Sequence, residues 1–422
     1  MVFKYFKGIT IRGDLTFLLC LIVVILMPVY VYYLPPFMIL WGIAWLFKNG
    51  FRVNRFMFSE NKAAILFLLF IAFYLWQISG LLMAESIGSG FERISKRMSF
   101  LLFPLVLFYP GEKIIRNINV IVRLFAISTF IYILYCFGNA LNHSLTNIDG
   151  KWIFNPHPLQ YDYENYFFSD RFSNPIHPSY LSGYVLLSFV IVLESLFDKG
   201  ISLLKKVIYT VMASIFLAVI YLLSSRAGFL ATFMVTVLYF FIRFRKKQLK
   251  WIFYSFMGVL LFFIILIAST NDKIRYDISK ITSDTLETSI EKDVRYTIWR
   301  SSLNVIKENP VTGVGTGDVS SELKKEFKSL GYSYGYYEDL NAHNQFIEIL
   351  LENGIIGLVL FLILLGYMIY IAISQGNLIY GLFILMMIIF FFFETVLNRI
   401  AGVTFFPLFA FLLIYLKSPQ KT

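Results

Sequence analysis

Asn341 to Ser374 reads NAHNQFIEILLENGIIGLVLFLILLGYMIYIAIS, and its second part, Gly354–Ser374, holds no charged residue. A helix of about 20 apolar residues spans the hydrocarbon of a bilayer, so this part reads as a membrane crossing. The first part differs. His343 and Asn344, nine residues ahead of a GxxG step, place a titratable imidazole where the chain passes from an aqueous segment into the span. An imidazole at that boundary suits chemistry on a substrate carried by a lipid.

Working outward, the same apolar pattern recurs along the chain. Hydrophobic residues make up 58% of its 422 residues and charged residues 15%, which excludes an ordinary soluble domain. The reading is an all-α, polytopic transmembrane helical bundle of about twelve spans, several shorter than a straight crossing needs. They fall at Leu15–Tyr30, Val31–Phe47, Ala63–Met83, Met98–Tyr109, Ile118–Asn139 and Ser179–Phe197, then at Val207–Leu223, Ala227–Ile242, Trp251–Ser269, Gly354–Ser374, Leu378–Phe393 and Ala401–Leu416. Residues 1–269 then hold the first nine spans and a smaller outer loop near 141–178. Residues 270–353 form a large outer loop, and 354–422 hold the last three spans and a tail.

The net charge of +11 does not imply a nucleic-acid partner, because the basic residues follow the loops between spans. Lys48, Lys62, Lys113, Arg116, Lys205, Lys206 and Arg243 fall on alternate connections, and the positive-inside rule puts those connections and both termini in the cytoplasm. The start MVFKYFKGITIRGD has no small-residue cleavage site and reads as a cytoplasmic tail. Cys20 and Cys136 lie in apolar stretches and suit packing rather than a disulfide or a metal.

The large outer loop has helical signals of its own. TSIEKDVRYTIWRSSLNVIKENP reads as an amphipathic helix stopped near Pro310, followed by the turn GVGTGD. A second helix, Val319–Leu330, puts Val319, Leu323 and Phe327 on one face, so the loop is a folded cap.

His343 is the first chemical candidate. A helix starting near Asn341 places it in the first turn with Phe346, Ile347 and Leu350 on one face, where the helix terminus favours the neutral imidazole that a general base needs. The plain alternative is a residue that packs at the helix start. Asn344 beside it is a candidate substrate contact. Arg226, in the short outer turn SSRAG, is costly at a membrane edge unless it snorkels or binds an anion. Arg295 and Arg300 lie five apart on the loop helix, whereas Arg295 and Trp299 share a face; arginine clamps phosphate through paired donors. Arg97, with Arg93 and Lys96, either steers an anionic headgroup or is an interfacial cluster. His177, in NPIHPSY, either lines the same cavity or serves a turn. Asp162 and Glu164 have a spacing seen in some metal-dependent transferases, but suit a solvated loop pair better. GVGTGD lacks the lysine and the strand of a phosphate loop. Glu394 and Arg399 suit a pair across the last outer turn.

Taken together, the HN…GxxG stretch His343–Gly357, SSRAG around Arg226 and RYTIWRSSLNVIKENPVTGVGTGD from Arg295 to Asp318 resemble the recurrent blocks of the O-antigen ligase and O-antigen polymerase superfamily, in the same order. The resemblance implies a membrane glycosyltransferase of the GT-C type, multi-pass in a bacterial inner membrane, with its active site on the periplasmic face. It implies a glycan donor on undecaprenyl diphosphate and an acceptor that is lipid A-core or another glycan, with no cofactor and no metal. It carries catalysis to His343 and diphosphate contacts to Arg226 and Arg295; Arg97, His177, Arg300 and Asn344 are expected to line the substrate path. A ligase of lipopolysaccharide biosynthesis, inverting and metal-independent, is the leading expectation. A polymerase using a lipid-linked repeat unit as acceptor uses the same chemistry, and a polysaccharide transporter is the rival from another class, although no inverted repeat is evident.

Overall fold

The computed structural model describes residues 14–49, 62–148, 150–157, 165–198, 200–244, 258 and 294–416. The expected span Trp251–Ser269, all but Gly258, lies outside these residues, as do Asp162, Glu164 and the first part of the large loop.

Among the described residues seven helices are long and apolar enough to cross a membrane: Val31–Asn49, Lys62–Leu82, Ile118–Ser144, Pro178–Ser195, Leu203–Leu223, Arg226–Arg243 and Gln345–Gln375. Leu15–Val29, Leu378–Phe393 and Ile400–Tyr415 are shorter apolar helices. The chain is therefore an all-α polytopic bundle, as its apolar pattern dictates. One expected span is corrected. Met98–Tyr109 is a nine-residue helix, Ser99–Leu107, about 13 Å long and too short to cross a bilayer. It starts just after Arg97, whose side chain is buried, and Ser99 donates from Oγ to the Val403 carbonyl at 2.6 Å, fixing its start inside the bundle.

In lipid the helices gain nothing from leaving water, so association rests on close packing. Phenylalanine supplies it. Phe70, Phe100, Phe361, Phe391 and Phe406 meet through ring contacts with centroids 5.2–6.3 Å apart, tying four helices and the short Ser99 helix together. Cys20 and Cys136 are buried and unbridged.

The cap folds as its periodicity indicates. Helices Val294–Glu308 and Val319–Ser329 bury Ile298, Val305, Val319, Leu323 and Phe327 in a small core with Ala342 and Leu351. A two-stranded hairpin, Leu145–Ile148 against Lys151–Phe154, was not anticipated; it is short, exposed and lacks a clear alternating pattern.

The feature that positions the site is a break. The helix Gln345–Gln375 departs from helical geometry at Gly354, with φ 61° and ψ −166°. A break in a membrane helix strands carbonyls on one side and amides on the other, and each must find a partner. Here one turn supplies most of them. Val314 and Gly315 donate to the carbonyls of Leu351 (2.8 Å) and Glu352 (3.2 Å), while Ile355 donates to the Pro310 carbonyl (2.9 Å). Trp76 Nε1 takes the Asn353 carbonyl at 3.0 Å. The contact is close enough to require glycine on both sides. A Cβ on Gly354 would sit 2.2 Å from the Val311 oxygen, and one on Gly313, φ 74°, would sit 2.6 Å from the Leu351 oxygen.

The GVGTGD turn is thus a staple, not a phosphate loop. Thr316 Oγ1 donates to the Gln77 carbonyl at 2.6 Å, and the Asp318 carboxylate accepts from the amides of Glu85 (2.7 Å) and Ser86 (2.9 Å). Gly354→Ala is expected to lower the melting temperature of the purified protein, since strained backbone alone costs about 1–3 kcal/mol. Gly366→Ala, whose Cβ meets nothing within 4 Å, serves as the comparator and should melt like the parent.

Candidate active site

The break divides the helix into a long apolar part and a short segment, Gln345–Asn353. Asn344 caps that segment, its Oδ1 accepting from the amides of Phe346 (2.9 Å) and Ile347 (3.1 Å). His343 therefore lies outside the helix, not in its first turn as expected, and adopts φ 44°. Positive φ is uncommon for a residue with a side chain, and it is held here by the His343 amide donating to Asn341 Oδ1 at 3.0 Å.

The imidazole faces the turn that follows the helix Leu378–Phe393. His343 Nδ1 stands 3.5 Å from Glu394 Oε2. Burial pushes the Glu394 carboxyl up, but its contacts with His343 and Ser179 outweigh burial and hold it below the usual carboxylate range. Glu394, paired with Arg399 in the sequence reading, turns instead to His343 and to the Ser179 hydroxyl at 2.9 Å.

The other sequence blocks reach the same turn. Ser225 donates to Ser179 Oγ at 3.3 Å, so the SSRAG block joins Glu394 through two hydroxyls. Ser225 also caps the next helix, accepting from the Gly228 amide at 3.1 Å, and Arg226 follows it, exposed. Arg295 places its guanidinium carbon 5.8 Å from the centre of the Phe393 ring and a nitrogen 3.5 Å from the Phe393 carbonyl. Trp299, one helical turn on, donates to the Ala342 carbonyl at 3.0 Å. Asn344 Nδ2 donates to the Phe392 carbonyl (3.1 Å), and Gln345 Oε1 accepts from the Leu397 amide (2.7 Å). Residues 392–398 are the hub on which His343, Asn344 and Arg295 converge, with Ser225 joined to it through Ser179.

Arg97 is elsewhere, and its surroundings differ from those of a residue awaiting a headgroup. It is 2% exposed and donates to Glu352 Oε1 (2.6 Å), Gln77 Oε1 (3.2 Å), Asn398 Oδ1 (2.8 Å) and the Leu397 carbonyl (3.2 Å). Above it Arg93 meets Glu348 at 3.1 Å, and Glu348 also accepts from Asn398 at 2.7 Å and from the Ala342 amide at 3.3 Å. These two ion pairs bind the Gln345–Asn353 segment to the hub. His177 caps the helix Pro178–Ser195 with its Nδ1 accepting from the Ser179 amide at 3.3 Å, two residues from the Glu394 contact. Arg300 is exposed on the cap helix, off the face that carries Arg295 and Trp299.

Fold and site together define a multi-pass membrane protein in which the turn 392–398 gathers an imidazole, a carboxylate and the Arg295 guanidinium. Residues 211–362 match the family model described as O-antigen ligase, and the match supports the O-antigen ligase and polymerase superfamily. Members of that superfamily are membrane glycosyltransferase-like ligases and polymerases acting on lipid-linked glycans, which supports an enzyme here. No curated protein matches the chain. The matched stretch contains Arg226, Arg295 and His343, and ends before Glu394 and the hub.

Glu394 is the residue whose role the sequence reading missed. Its signal was an acidic residue at the outer end of a span, which reads equally as an interfacial anchor. For the buried pair, Arg97→Ala leaves Glu352 charged without a partner and is expected to cost about 3–5 kcal/mol. Thermal melts should show it clearly, while Arg300→Ala stays within about 0.5 kcal/mol of the parent.

Proposed function

We propose that the protein is a ligase-like glycosyltransferase that moves a glycan from undecaprenyl diphosphate to a sugar hydroxyl of lipid A-core at the periplasmic face of the inner membrane. The observation that carries this reading is the His343–Glu394 contact, on the turn that Arg295 and the Arg226 block also reach.

The chemistry follows from the atoms. With Nδ1–H given to Glu394, the imidazole is held in the tautomer whose Nε2 carries a lone pair. Nε2 takes the proton from the acceptor hydroxyl as its oxygen attacks the anomeric carbon; the bond to the diphosphate oxygen breaks on the opposite face, inverting configuration. Such a base contributes about 10²–10⁴-fold in rate. Arg226 and Arg295 hold the diphosphate and neutralise the charge that grows on it, in the place a divalent ion takes in other transferases. Asn344 and Gln345 fix the segment Gln345–Asn353, and Arg97, fully enclosed, positions it rather than touching the lipid.

In a transfer assay with purified protein, lipid-linked donor and acceptor, His343→Ala should lose about 10²–10⁴-fold in kcat while keeping its expression and melting temperature. Glu394→Gln should lose less, and the double variant no more than His343→Ala alone, because the carboxylate acts through the ring. Independent losses that multiply would remove the orienting role. Ligase and polymerase differ only in acceptor. In a deletion strain a ligase leaves long chains unattached to lipid A-core, and a profile of single repeats would instead assign polymerase activity.

A further inference from the structure

The ten-residue helix Ile87–Lys96 joins the span Lys62–Leu82 to the short helix Ser99–Leu107. It is about 15 Å long and is fixed to the bundle at both ends. Just ahead of it the amides of Glu85 and Ser86 donate to the Asp318 carboxylate, and near its close Tyr74 Oη donates to the Ile94 carbonyl at 3.2 Å. Gly90 lies against Gly317, where a Cβ would fall 3.3 Å from the Gly317 Cα. Arg93 and Arg97 reach Glu348 and Glu352.

Helical spacing sorts its side chains into three sectors. Gly90, Arg93, Ile94 and Arg97 share the one that meets the bundle. Ser89, Glu92 and Lys96 share an exposed polar sector, in which Glu92 and Lys96 pair at 2.6 Å across one turn. Ile87 and Phe91, four apart, share the third, and each is 66% exposed.

The third sector continues a longer apolar surface. In the helix Lys62–Ser79 the exposed residues are Ile65, Leu68, Ala72 and Leu75, three or four apart on one face. Leu82 and Met83, also exposed, carry that surface to Ile87 and Phe91. An exposed apolar stripe on a span of a multi-pass membrane protein meets acyl chains, and a helix with separate apolar and charged faces lies in the plane of the bilayer surface. We propose that Ile87–Lys96 is such an interfacial helix, with Ile87 and Phe91 among the acyl chains of one leaflet and Glu92 and Lys96 at headgroup level. The helix thereby ties the bilayer surface to the Gln345–Asn353 segment through its two ion pairs. Lipid is the occupant and no glycan is required, so this assignment stands or falls apart from the transfer reading.

The chain's two cysteines, Cys20 and Cys136, are both buried, which leaves a cysteine added on this helix open to selective labelling. The test uses the full-length protein in nanodiscs, carrying a bimane at Ile87→Cys, Phe91→Cys or Glu92→Cys. Nitroxide lipids should quench the label at positions 87 and 91 several-fold more than at 92, and aqueous iodide should quench in the reverse order. A nitroxide near the headgroup should act more strongly than one at the chain end, since an interfacial helix reaches about 5–10 Å into the headgroup and acyl boundary. Met83→Cys, on the same surface, should follow positions 87 and 91 and replaces either variant that does not fold. Iodide quenching at 87 and 91 equal to that at 92 overturns the proposal, because the face then lies in water. Quenching there by neither reagent also overturns it, because another part of the chain or a protein partner then covers the face. Lipid quenching at 92 as strong as at 91 puts the whole helix inside the bilayer and overturns the interfacial placement.

Discussion

A membrane helix can be interrupted only where the backbone groups freed by the break find new partners, and at Gly354 those partners come mainly from the turn Pro310–Gly315. That single exchange of hydrogen bonds fixes the geometry on both sides. It sets Gln345–Asn353 apart from the span that follows, and it fastens the cap to the bundle, where Trp299 reaches the Ala342 carbonyl and Arg295 the Phe393 carbonyl. Had the helix run straight through Gly354, the amides of Val314 and Gly315 would have no carbonyls to meet and the cap would have no dock.

Charge is arranged in two tiers about this break. The lower tier is enclosed. Arg97–Glu352 and Arg93–Glu348 are almost fully buried on the carboxylate side, and Arg97 gives further donors to Gln77, Asn398 and the Leu397 carbonyl. Buried pairs of this kind add little net stability over apolar packing, yet they are intolerant of losing one member, and they fix register. The upper tier is open. His343 is about one-third exposed, Arg226 is exposed, and Glu394 is held charged by His343 and Ser179. An enclosed tier that positions, with an open tier left for the proposed substrate, is the division expected of a site built on rigid elements.

Much of this was legible in the chain. Length and polarity of the apolar runs gave the helical bundle, and period-3.6 patterning gave the two cap helices with the buried face Val319, Leu323 and Phe327. The three motif blocks put forward His343, Arg226 and Arg295 as candidates, and the structure brings His343, Arg295 and Ser225, the neighbour of Arg226, to one turn. What was not legible follows from one physical limit: sequence spacing reports neighbours along a helix, not across a break. GVGTGD reads as a weak phosphate loop, and only its docking against Gly354 and the Gln77–Ser86 stretch shows it to be a staple. Arg97 looks like an interfacial cation, because its carboxylate partner lies 255 positions away. The first-turn placement of His343 failed because Asn344, a better cap, takes the helix start and leaves His343 outside it. Glu394 was matched with Arg399 for the same reason; its partners, Ser179 and His343, come from distant parts of the chain.

The most direct measurement is an experimental structure of the protein with an undecaprenyl diphosphate glycan, or a non-hydrolysable phosphonate analogue, bound in a nanodisc. The account places the diphosphate within hydrogen-bonding distance of both Arg226 and Arg295, with the anomeric carbon facing His343 Nε2 and Glu394 still on Nδ1. A diphosphate seated away from either arginine, or a His343 ring turned from the sugar with Glu394 unengaged, would contradict it.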